Sequence, residues 1–151
     1  MMSDYDPNYV DVPIYFRLGV KTVIVDSNNK ILLLQRSDKT SSPHSWDFGG
    51  GGVDKSENPI DSAIREAKEE TGLDVYDLRP LTTYLDTNSK DEAVIISFTA
   101  RTNNSEVKLS WEHEAFRWLT LEELQEIQLP DLHDSIRKAF LQMSVGSNPA
   151  R

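Results

Sequence analysis

Cysteine is absent from this 151-residue chain, so neither a disulfide framework nor a catalytic thiolate contributes to its structure. No apolar run is long enough to span a membrane, and the N-terminus lacks the basic and apolar pattern of a secretion signal. Basic residues number 16 against 25 acidic ones, which gives a formal net charge of −9. These deficits argue against a thiol enzyme, and against nucleic-acid polymers or anionic membranes as binding partners. They favour a cytoplasmic protein.

What is present is the composition of a globular protein. The length and the 38% hydrophobic content suit one domain with a proper core, and neither an internal repeat nor a linker is apparent. We therefore expect a single domain over residues 1–151, with loose segments at 1–12 and from Gly146 onward.

The most informative stretch runs from Trp46 to Leu73, where four consecutive glycines precede a segment that is dense in glutamate. Asn58 is a good helix N-cap, and the proline after it suits the first helical position. Gly72 suits the left-handed residue that often ends a helix. The sequence therefore predicts a loop, a helix over 59–71 and a second loop.

The predicted helix has two faces. Ile60, Ile64 and Ala67 repeat at helical spacing and are expected to form a buried stripe. The other face is acidic, with spacing i, i+3, i+4, and consists of Glu66, Glu69 and Glu70. Hard divalent cations prefer oxygen ligands, so a bound metal would turn the repulsion among these carboxylates into a binding site. A solvated acidic face is the alternative that the helix alone leaves open.

The whole stretch resembles the 23-residue box of the Nudix hydrolase family. Gly51, Glu57 and the run REAKEETGL at 65–73 keep the residue types and spacing of that box without a gap. The strand ILLLQR before the box and the segment EHEAFRWLTLEEL after it are also similar to this family, so roughly residues 14–142 are covered. One departure is Gly49, where the family usually has proline; glycine makes the loop looser.

Hydrophobic patterning by itself indicates only mixed helices and strands. Strands are predicted at 14–26, 31–36, 93–100 and 115–119, with a short strand near 107–109, a turn at 87–90 and an interrupted edge strand at 74–86 around Pro80. Thr120 and Glu123 form a capping-box pattern, and Asp131 is expected to cap a last helix. The resemblance implies the α/β/α sandwich of Nudix proteins, with a mixed β-sheet and the catalytic loop–helix–loop after the first hairpin.

The resemblance also implies an enzyme and a reaction. Nudix proteins hydrolyse a nucleoside diphosphate linked to another group, by water attack on phosphorus with Mg²⁺ or Mn²⁺ at the phosphates. A small nucleotide is the expected partner and a divalent cation the expected cofactor. The resemblance also allows a homodimer.

The resemblance implies metal ligands at individual positions of the box. Glu66, Glu69 and Glu70 match glutamates that ligate metal in the family, and the Glu66 position assists the attacking water in some members. Glu57 is expected to be a ligand or to support one. The carbonyl of Gly50, just before the box, matches a metal ligand of MutT-type members.

Other roles lie inside and outside the box. Arg65 matches an arginine that orients the glutamates, in keeping with the bidentate pairing of guanidinium and carboxylate. Arg36 has the spacing of an arginine that contacts phosphates in MutT-type enzymes, and a surface arginine is the alternative. Glu112 has the spacing of a metal-binding or water-activating glutamate, and Glu114 is its rival.

Substrate contacts are expected from two further residues. Gly51 lets the backbone approach a ligand. Phe48 can stack on a base, although packing is an equal alternative. The histidines at positions 44, 113 and 133 lack zinc-ligand spacing, and we expect all three in surface or loop positions.

The substrate is predicted only by elimination. ADP-ribose hydrolases carry a proline further beyond the box than Pro80, and dinucleoside polyphosphate hydrolases carry a tyrosine further beyond it than Tyr84. We therefore expect a MutT-like nucleoside triphosphate pyrophosphohydrolase that releases a monophosphate and pyrophosphate. An ADP-ribose or nucleotide-sugar pyrophosphatase is the alternative. A non-catalytic nucleotide-binding module is less favoured, because every box glutamate is present.

Overall fold

The computed structural model describes residues 6–87 and 92–146. Within them the elements are β1 (Arg17–Val25), β2 (Ile31–Arg36), β3 (Trp46–Asp47), β4 (Gly50–Gly52), α1 (Pro59–Thr71), β5 (Tyr76–Asp86), β6 (Ala93–Arg101), β7 (His113–Leu119), α2 (Leu121–Glu126) and α3 (Asp131–Gly146). Most of the turn expected at 87–90, and the outer parts of both tails, lie outside the described residues.

The strands form one mixed sheet in the order β3-β2-β1-β6-β5, with β4 also paired to β1 and β7 also paired to β2. Only β1 and β6 are parallel among the described pairs, and they stay in register from Arg17↔Ala93 to Val25↔Arg101. The first hairpin pairs at Val25↔Ile31, next to its turn. Beyond that point β4 pairs with β1 while β3 and β7 pair with β2.

Helices cover both faces of this sheet. Along β2, Ile31 and Leu33 pack in one core with residues of α2 and α3. Leu32 and Leu34 pack in a second core with Ala67 of α1. Because alternate side chains of a strand point to opposite faces, this division places α1 on one face and α2 with α3 on the other. The predicted α/β/α sandwich is confirmed.

Helix α1 begins and ends as the sequence predicts. The side chain of Asn58 accepts a hydrogen bond from the backbone N–H of Ile60 at 3.0 Å. At the other end Gly72 has a φ of 73°, and its N–H donates to the carbonyl of Lys68 at 2.9 Å. The capping box of α2 is also present, with reciprocal hydrogen bonds between Thr120 and Glu123. These local signals define the helix boundaries.

The buried face of α1 differs from the predicted stripe. Ala67 is buried, but Ile60 and Ile64 are 39% and 38% exposed, so that part of the prediction is wrong. The buried positions include Ala63, Ala67 and Glu70 instead. Because α1 packs on β1 and on the glycine strand β4, small side chains at the contact let the helix approach the sheet closely. Glu70 therefore belongs to the packed face.

Other predicted strands also differ from the structure. β1 starts at Arg17, the first residue with a partner on β6, and residues 14–16 are exposed. β7 starts at His113, because its pairing with β2 extends that far. Residues 107–109 form no strand, although Val107 and Leu109 pack against the core.

The last helix buries two of its apolar residues. Ile136 and Phe140 are buried, whereas Met143 is 39% exposed. Asp131 is the first residue of α3 rather than a residue before it, so the cap prediction is off by one position. Among the helices described, none has the length and apolarity needed to cross a membrane.

Candidate active site

The glycine strand β4 lies between β1 and the acidic helix, and the close contacts on both sides explain its composition. A Cβ at Gly50 would lie 1.9 Å from the backbone oxygen of Val20. A Cβ at Gly51 would lie 2.4 Å from the carboxyl carbon of Glu66. Only glycine fits at Gly50, and at Gly51 any side chain would displace Glu66. The backbone of β4 is therefore within reach of the helix carboxylates.

Arg65 holds the acidic residues in place. Its Nε and Nη2 donate to the two carboxylate oxygens of Glu57 at 2.9 and 3.0 Å. Its Nη1 donates to Glu66 at 2.9 Å and to Glu69 at 3.2 Å, and Nη2 also donates to the carbonyl of Gly52. This geometry agrees with the orienting salt bridge that the resemblance implies. These bonds lower the pKa of Glu57 to about 2, with the hydrogen bond from Arg65 as the main cause.

Glu70 is the most buried carboxylate of the helix, with 4% of its surface exposed. Its Oε2 accepts a hydrogen bond from the N–H of Gly50 at 2.9 Å. Burial, reinforced by the negative charges of Asp47 and Glu66, raises the pKa of Glu70 to about 8, against the opposing effect of Lys21. Carboxylates bind metal ions in their deprotonated form, so metal binding at Glu70 would be coupled to the loss of a proton.

Glu66 is also partly desolvated. Burial is the main reason that its pKa is raised, and the nearby carboxylates of Glu69 and Glu112 add to that effect, whereas Arg65 opposes it. The side chain of Glu66 is 14% exposed and lies against the backbone of Gly51. Glu69, by contrast, is 57% exposed and contacts Arg65. The structure thus separates the predicted acidic face into buried and exposed members.

The donor set fits a divalent cation. Glu70, Glu112 and His113 each offer one ligand atom, and these atoms lie within 4.8 Å of one another. Two elements distant in sequence, α1 and the segment leading into β7, therefore meet at this point. Carboxylate oxygens suit Mg²⁺ and Mn²⁺, and an imidazole favours the transition metal. A cation here would relieve the repulsion between the buried Glu70 and its acidic neighbours.

A cleft of about 750 Å³ is lined by one member of this donor set, Glu112. Its walls combine backbone, basic and acidic groups and include Lys21, Arg36, Asp47, Gly50, Gly51, Glu112 and His133. Four residues predicted for metal or substrate therefore face one space: Arg36, Gly50, Gly51 and Glu112. Its size is that of a typical small-molecule site.

Phe48 is a correction to the expected substrate contacts. Its side chain has 0% exposed surface and packs in the core beside α2 and α3. It therefore cannot stack on a base in the cleft, and the packing alternative is the right one. The preceding residue, Asp47, does line the cleft. The two side chains differ in this way because adjacent residues of an extended chain point to opposite sides.

Glu114 lies apart from the cleft residues. Its carboxylate makes a close contact with Nδ1 of His44, and this contact raises the pKa of the exposed imidazole. Glu112 lines the cleft, and Glu114 does not. Of the two rival glutamates, the structure therefore places Glu112 near the box.

A second set of charged residues was missed by sequence reasoning. Asp47 is 1% exposed, and around it lie Lys21 at 3.1 Å, Arg36 at 3.6 Å, His133 at 3.7 Å and His113 at 3.9 Å. His113 and His133 are buried, so the expectation of surface positions is wrong for both. The sequence signal that could have revealed this cluster was Lys21, a charged residue inside the apolar strand β1.

Comparison with known proteins identifies the class. The family described as NUDIX domain matches residues 15–143, and the chain therefore belongs to the Nudix family. A mouse protein, bis(5'-nucleosyl)-tetraphosphatase (asymmetrical), is 34% identical over 116 residues, which cover 73% of this chain and 77% of the relative. The chain is accordingly a hydrolase of nucleotide-linked acid anhydrides.

Solved structures agree with this assignment. The MutT protein from Methanosarcina mazei Go1 has a TM-score of 0.74 and 23% identity, with 91% of this chain and 99% of that one covered, and it supports the fold. An Ap4A hydrolase from C. elegans has a TM-score of 0.70 and 28% identity, with 86% of this chain and 98% of that one covered.

Proposed function

We propose that this protein is a divalent-metal-dependent hydrolase of nucleoside polyphosphates. The observation that carries the proposal is that Glu66 and Glu70 lie against the glycines beside the cleft, and that Glu112, which lines the cleft, lies within 4.8 Å of Glu70. Carboxylates at such a point are destabilising unless a cation joins them. The bound cation would neutralise the polyphosphate and acidify its bound water.

The protein groups have separate roles in this proposal. Glu70 and Glu112 hold the metal, with Glu69, the Gly50 carbonyl and His113 as further donors. Arg65 keeps the carboxylates oriented through its bonds to Glu57 and Glu66. These bonds hold the glutamate side chains in position before the substrate binds. The carboxylates therefore need not reorient during the reaction.

Glu66 is our assignment for the proton acceptor from the attacking water. It lies against Gly51, which lines the cleft, and its raised pKa makes it a better base than an ordinary glutamate. Glu112 is the alternative acceptor, because it lines the same cleft. The two assignments differ in the pH–rate profile: Glu66→Gln removes the acid limb if Glu66 is the base, and Glu112→Gln leaves it in place.

A dinucleoside tetraphosphate is the first substrate that we propose. The support is the relative from mouse, whose name denotes asymmetrical cleavage of such a compound and whose similarity extends over 73% of this chain. The spacing of Tyr84 pointed away from this substrate, but the similarity to the mouse protein outweighs it in this proposal. A nucleoside triphosphate, predicted by elimination, is the second candidate.

A substrate panel tests the proposal. Purified protein with Mg²⁺ or Mn²⁺ is offered a dinucleoside tetraphosphate, nucleoside triphosphates, ADP-ribose and nucleotide sugars, in ¹⁸O-labelled water. Asymmetrical cleavage yields a nucleoside triphosphate and a monophosphate from the tetraphosphate, and the label identifies the phosphorus that is attacked. A triphosphate substrate instead yields a monophosphate and pyrophosphate.

The panel includes one test variant and one control variant. Glu69→Gln removes a predicted ligand from the exposed end of the cluster and is expected to abolish Mg²⁺-dependent turnover while the protein still folds. Glu106→Gln changes a glutamate that is exposed and outside the cleft, and it should retain full activity. Binding of nucleotides without cleavage of any compound would contradict the enzymatic proposal.

A further inference from the structure

The loop between β2 and β3, residues 37–45, forms one wall of the cleft. Ser41, Ser42 and Ser45 are among the residues that line it. At the base of the loop, the N–H of Arg36 donates to the carbonyl of Ser45, and the N–H of His44 donates to the carbonyl of Arg36, both at 2.9 Å. Residues 38–44 are exposed or half-buried, so this part of the loop has no apolar core of its own. Contacts with a neighbouring segment must therefore hold the wall in place.

Two contacts tie the loop to the segment that leads into β7. At its start, the N–H of Ser37 donates to the carbonyl of Glu112 at 2.8 Å. Near its end, Nδ1 of His44 makes a close contact with Oε1 of Glu114. The same segment supplies Glu112 and His113 to the candidate metal site. The cleft wall and the metal donors therefore share one support.

Strand β7 is irregular at the second contact. Ala115 pairs with Gln35, and His113 pairs with Arg36, so Glu114 is an extra residue on the β7 side. Such a β-bulge changes the direction of a side chain, and bulges are frequent beside active sites. Here His113 is 5% exposed and lies in the interior, whereas Glu114 reaches out to the loop. The bulge thus separates the donor residues from the residue that contacts the loop.

The backbone of His44 is irregular as well. Its φ is 63°, in the left-handed region that residues other than glycine adopt infrequently. Such a conformation persists where the surroundings impose it. Glu114 raises the pKa of His44 through its hydrogen bond and its charge, and Asp38 adds to this effect, so the contact has the character of an ion pair. Two local irregularities therefore bring together side chains that are 70 positions apart in sequence.

We propose that His44 and Glu114 form a latch, an ion pair that fixes loop 37–45 as a wall of the cleft and thereby sets the affinity for substrate. Both are positioning residues, because neither is among the residues that line the cleft. The loop also contacts a cleft residue directly, since Nε of Arg36 donates to Oγ1 of Thr40 at 3.2 Å. The effect on affinity rests on the proposed function, whereas the ordering of the loop does not.

The size of the effect follows from the exposure of the pair. The side chains of His44 and Glu114 are 61% and 35% exposed. An ion pair exposed to this degree contributes little to the stability of a whole protein. We therefore expect its loss to change the loop while the rest of the molecule stays as it is.

Hydrogen exchange, measured by mass spectrometry in EDTA, tests the latch without substrate or metal. We expect His44→Asn and Glu114→Gln each to speed exchange in peptides from residues 37–45 about threefold, the effect of one exposed ion pair. Asparagine is used because it tolerates the positive φ. The double variant should match the single variants, because the same pair is lost in each. Asp74→Asn is the matched control: its carboxylate is 91% exposed, pairs with Lys68 at 3.0 Å and is not among the groups lining the cleft.

Reversal of the charges tests whether the contact is an ion pair. His44→Asp places a carboxylate oxygen where Nδ1 lies, opposite Glu114, and aspartate also tolerates the positive φ. The two like charges should loosen the loop more than His44→Asn does. Combining His44→Asp with Glu114→Lys restores opposite charges and should return exchange toward the wild-type rate. A loop as loose in this combination as in His44→Asp alone would overturn the ion pair.

The outcomes separate the latch from the proposed reaction. Wild-type exchange of the loop in both His44→Asn and Glu114→Gln would overturn the latch, whatever compound the enzyme cleaves. Once a substrate is known, the latch predicts a rise in KM of about threefold in each single variant, with kcat nearly unchanged. An unchanged KM in a variant whose loop exchanges faster would overturn the link to affinity. A panel in which no compound is cleaved contradicts the reaction alone, because the exchange experiment contains no substrate.

Discussion

Glu70 combines two properties that conflict in the metal-free protein, a buried position and an acidic side chain. Its pKa is raised to about 8, mainly by burial, whereas an unfolded glutamate titrates near 4.5. The folded protein therefore binds one more proton than the unfolded chain between these values. The stability that this proton provides is lost as the pH rises through about 8.

Metal-free protein should accordingly become less stable with rising pH. Between pH 7 and 8.5 we expect the free energy of unfolding in EDTA to fall by about 1 kcal/mol. Urea unfolding at the two pH values measures this change. Glu70→Gln keeps the shape without the charge, so its stability should be nearly constant over the range. An equal decline in wild type and variant would assign the proton to another group.

Arg65 depends on the fork geometry of its guanidinium. It donates to Glu57, Glu66 and Glu69 at the same time, which the single ammonium of a lysine cannot do. We expect Arg65→Lys to lower kcat/KM by roughly 10- to 100-fold. Arg79→Lys provides the control, because Arg79 is 71% exposed and, among the described residues, its recorded ion pair is with Asp77. Full activity in Arg65→Lys would mean that positive charge, not geometry, is what matters, and comparable losses in both variants would point to a general effect of replacing arginine.

At the scale of elements, β4 shows why a strand of glycines is needed. The contact is asymmetric along the strand: a Cβ at Gly51 would lie 2.4 Å from Glu66, whereas a Cβ at Gly52 would meet nothing within 4 Å. Neither residue has a positive φ, so alanine is strained at neither by backbone conformation. The two positions therefore separate the effect of a side chain from that of the backbone.

Alanine at these two positions gives the corresponding prediction. Gly51→Ala displaces the carboxylate of Glu66 and should lower kcat/KM by about 100-fold. Gly52→Ala should remain within about twofold of wild type, because no atom obstructs the methyl group. Both rates are measured at saturating Mg²⁺, with circular dichroism as a check of folding. A large loss in Gly52→Ala would show that loop flexibility, not Glu66, controls the rate.

The same elements show which features were predictable from sequence. Caps at Asn58, Gly72 and Thr120 are local, and they placed the helix ends correctly. The exposure of Ile60 was not predictable, because it depends on how closely α1 approaches the glycine strand. The Asp47 cluster was equally hidden, since its partners come from separate elements and share no spacing.

At the scale of the whole molecule, the candidate metal site joins two distant parts of the chain. Glu70 belongs to α1, and Glu112 lies just before β7, a strand held on the sheet through β2. A cation bound by both would bind the folded protein and not the unfolded chain. By linkage, such binding stabilises the fold by about 2.7 kcal/mol when the metal concentration is 100 times its dissociation constant.

Thermal unfolding with and without Mg²⁺ at pH 8 therefore distinguishes the two candidate glutamates. The wild type should gain stability with Mg²⁺, and Glu112→Gln should lose most of that gain, because the cation would be held from α1 alone. Glu114→Gln should keep the gain, since its carboxylate contacts His44 outside the cleft. Loss of the gain in Glu114→Gln instead would require the segment before β7 to rearrange when the metal binds. Equal gains in all three proteins would confine the metal to helix α1.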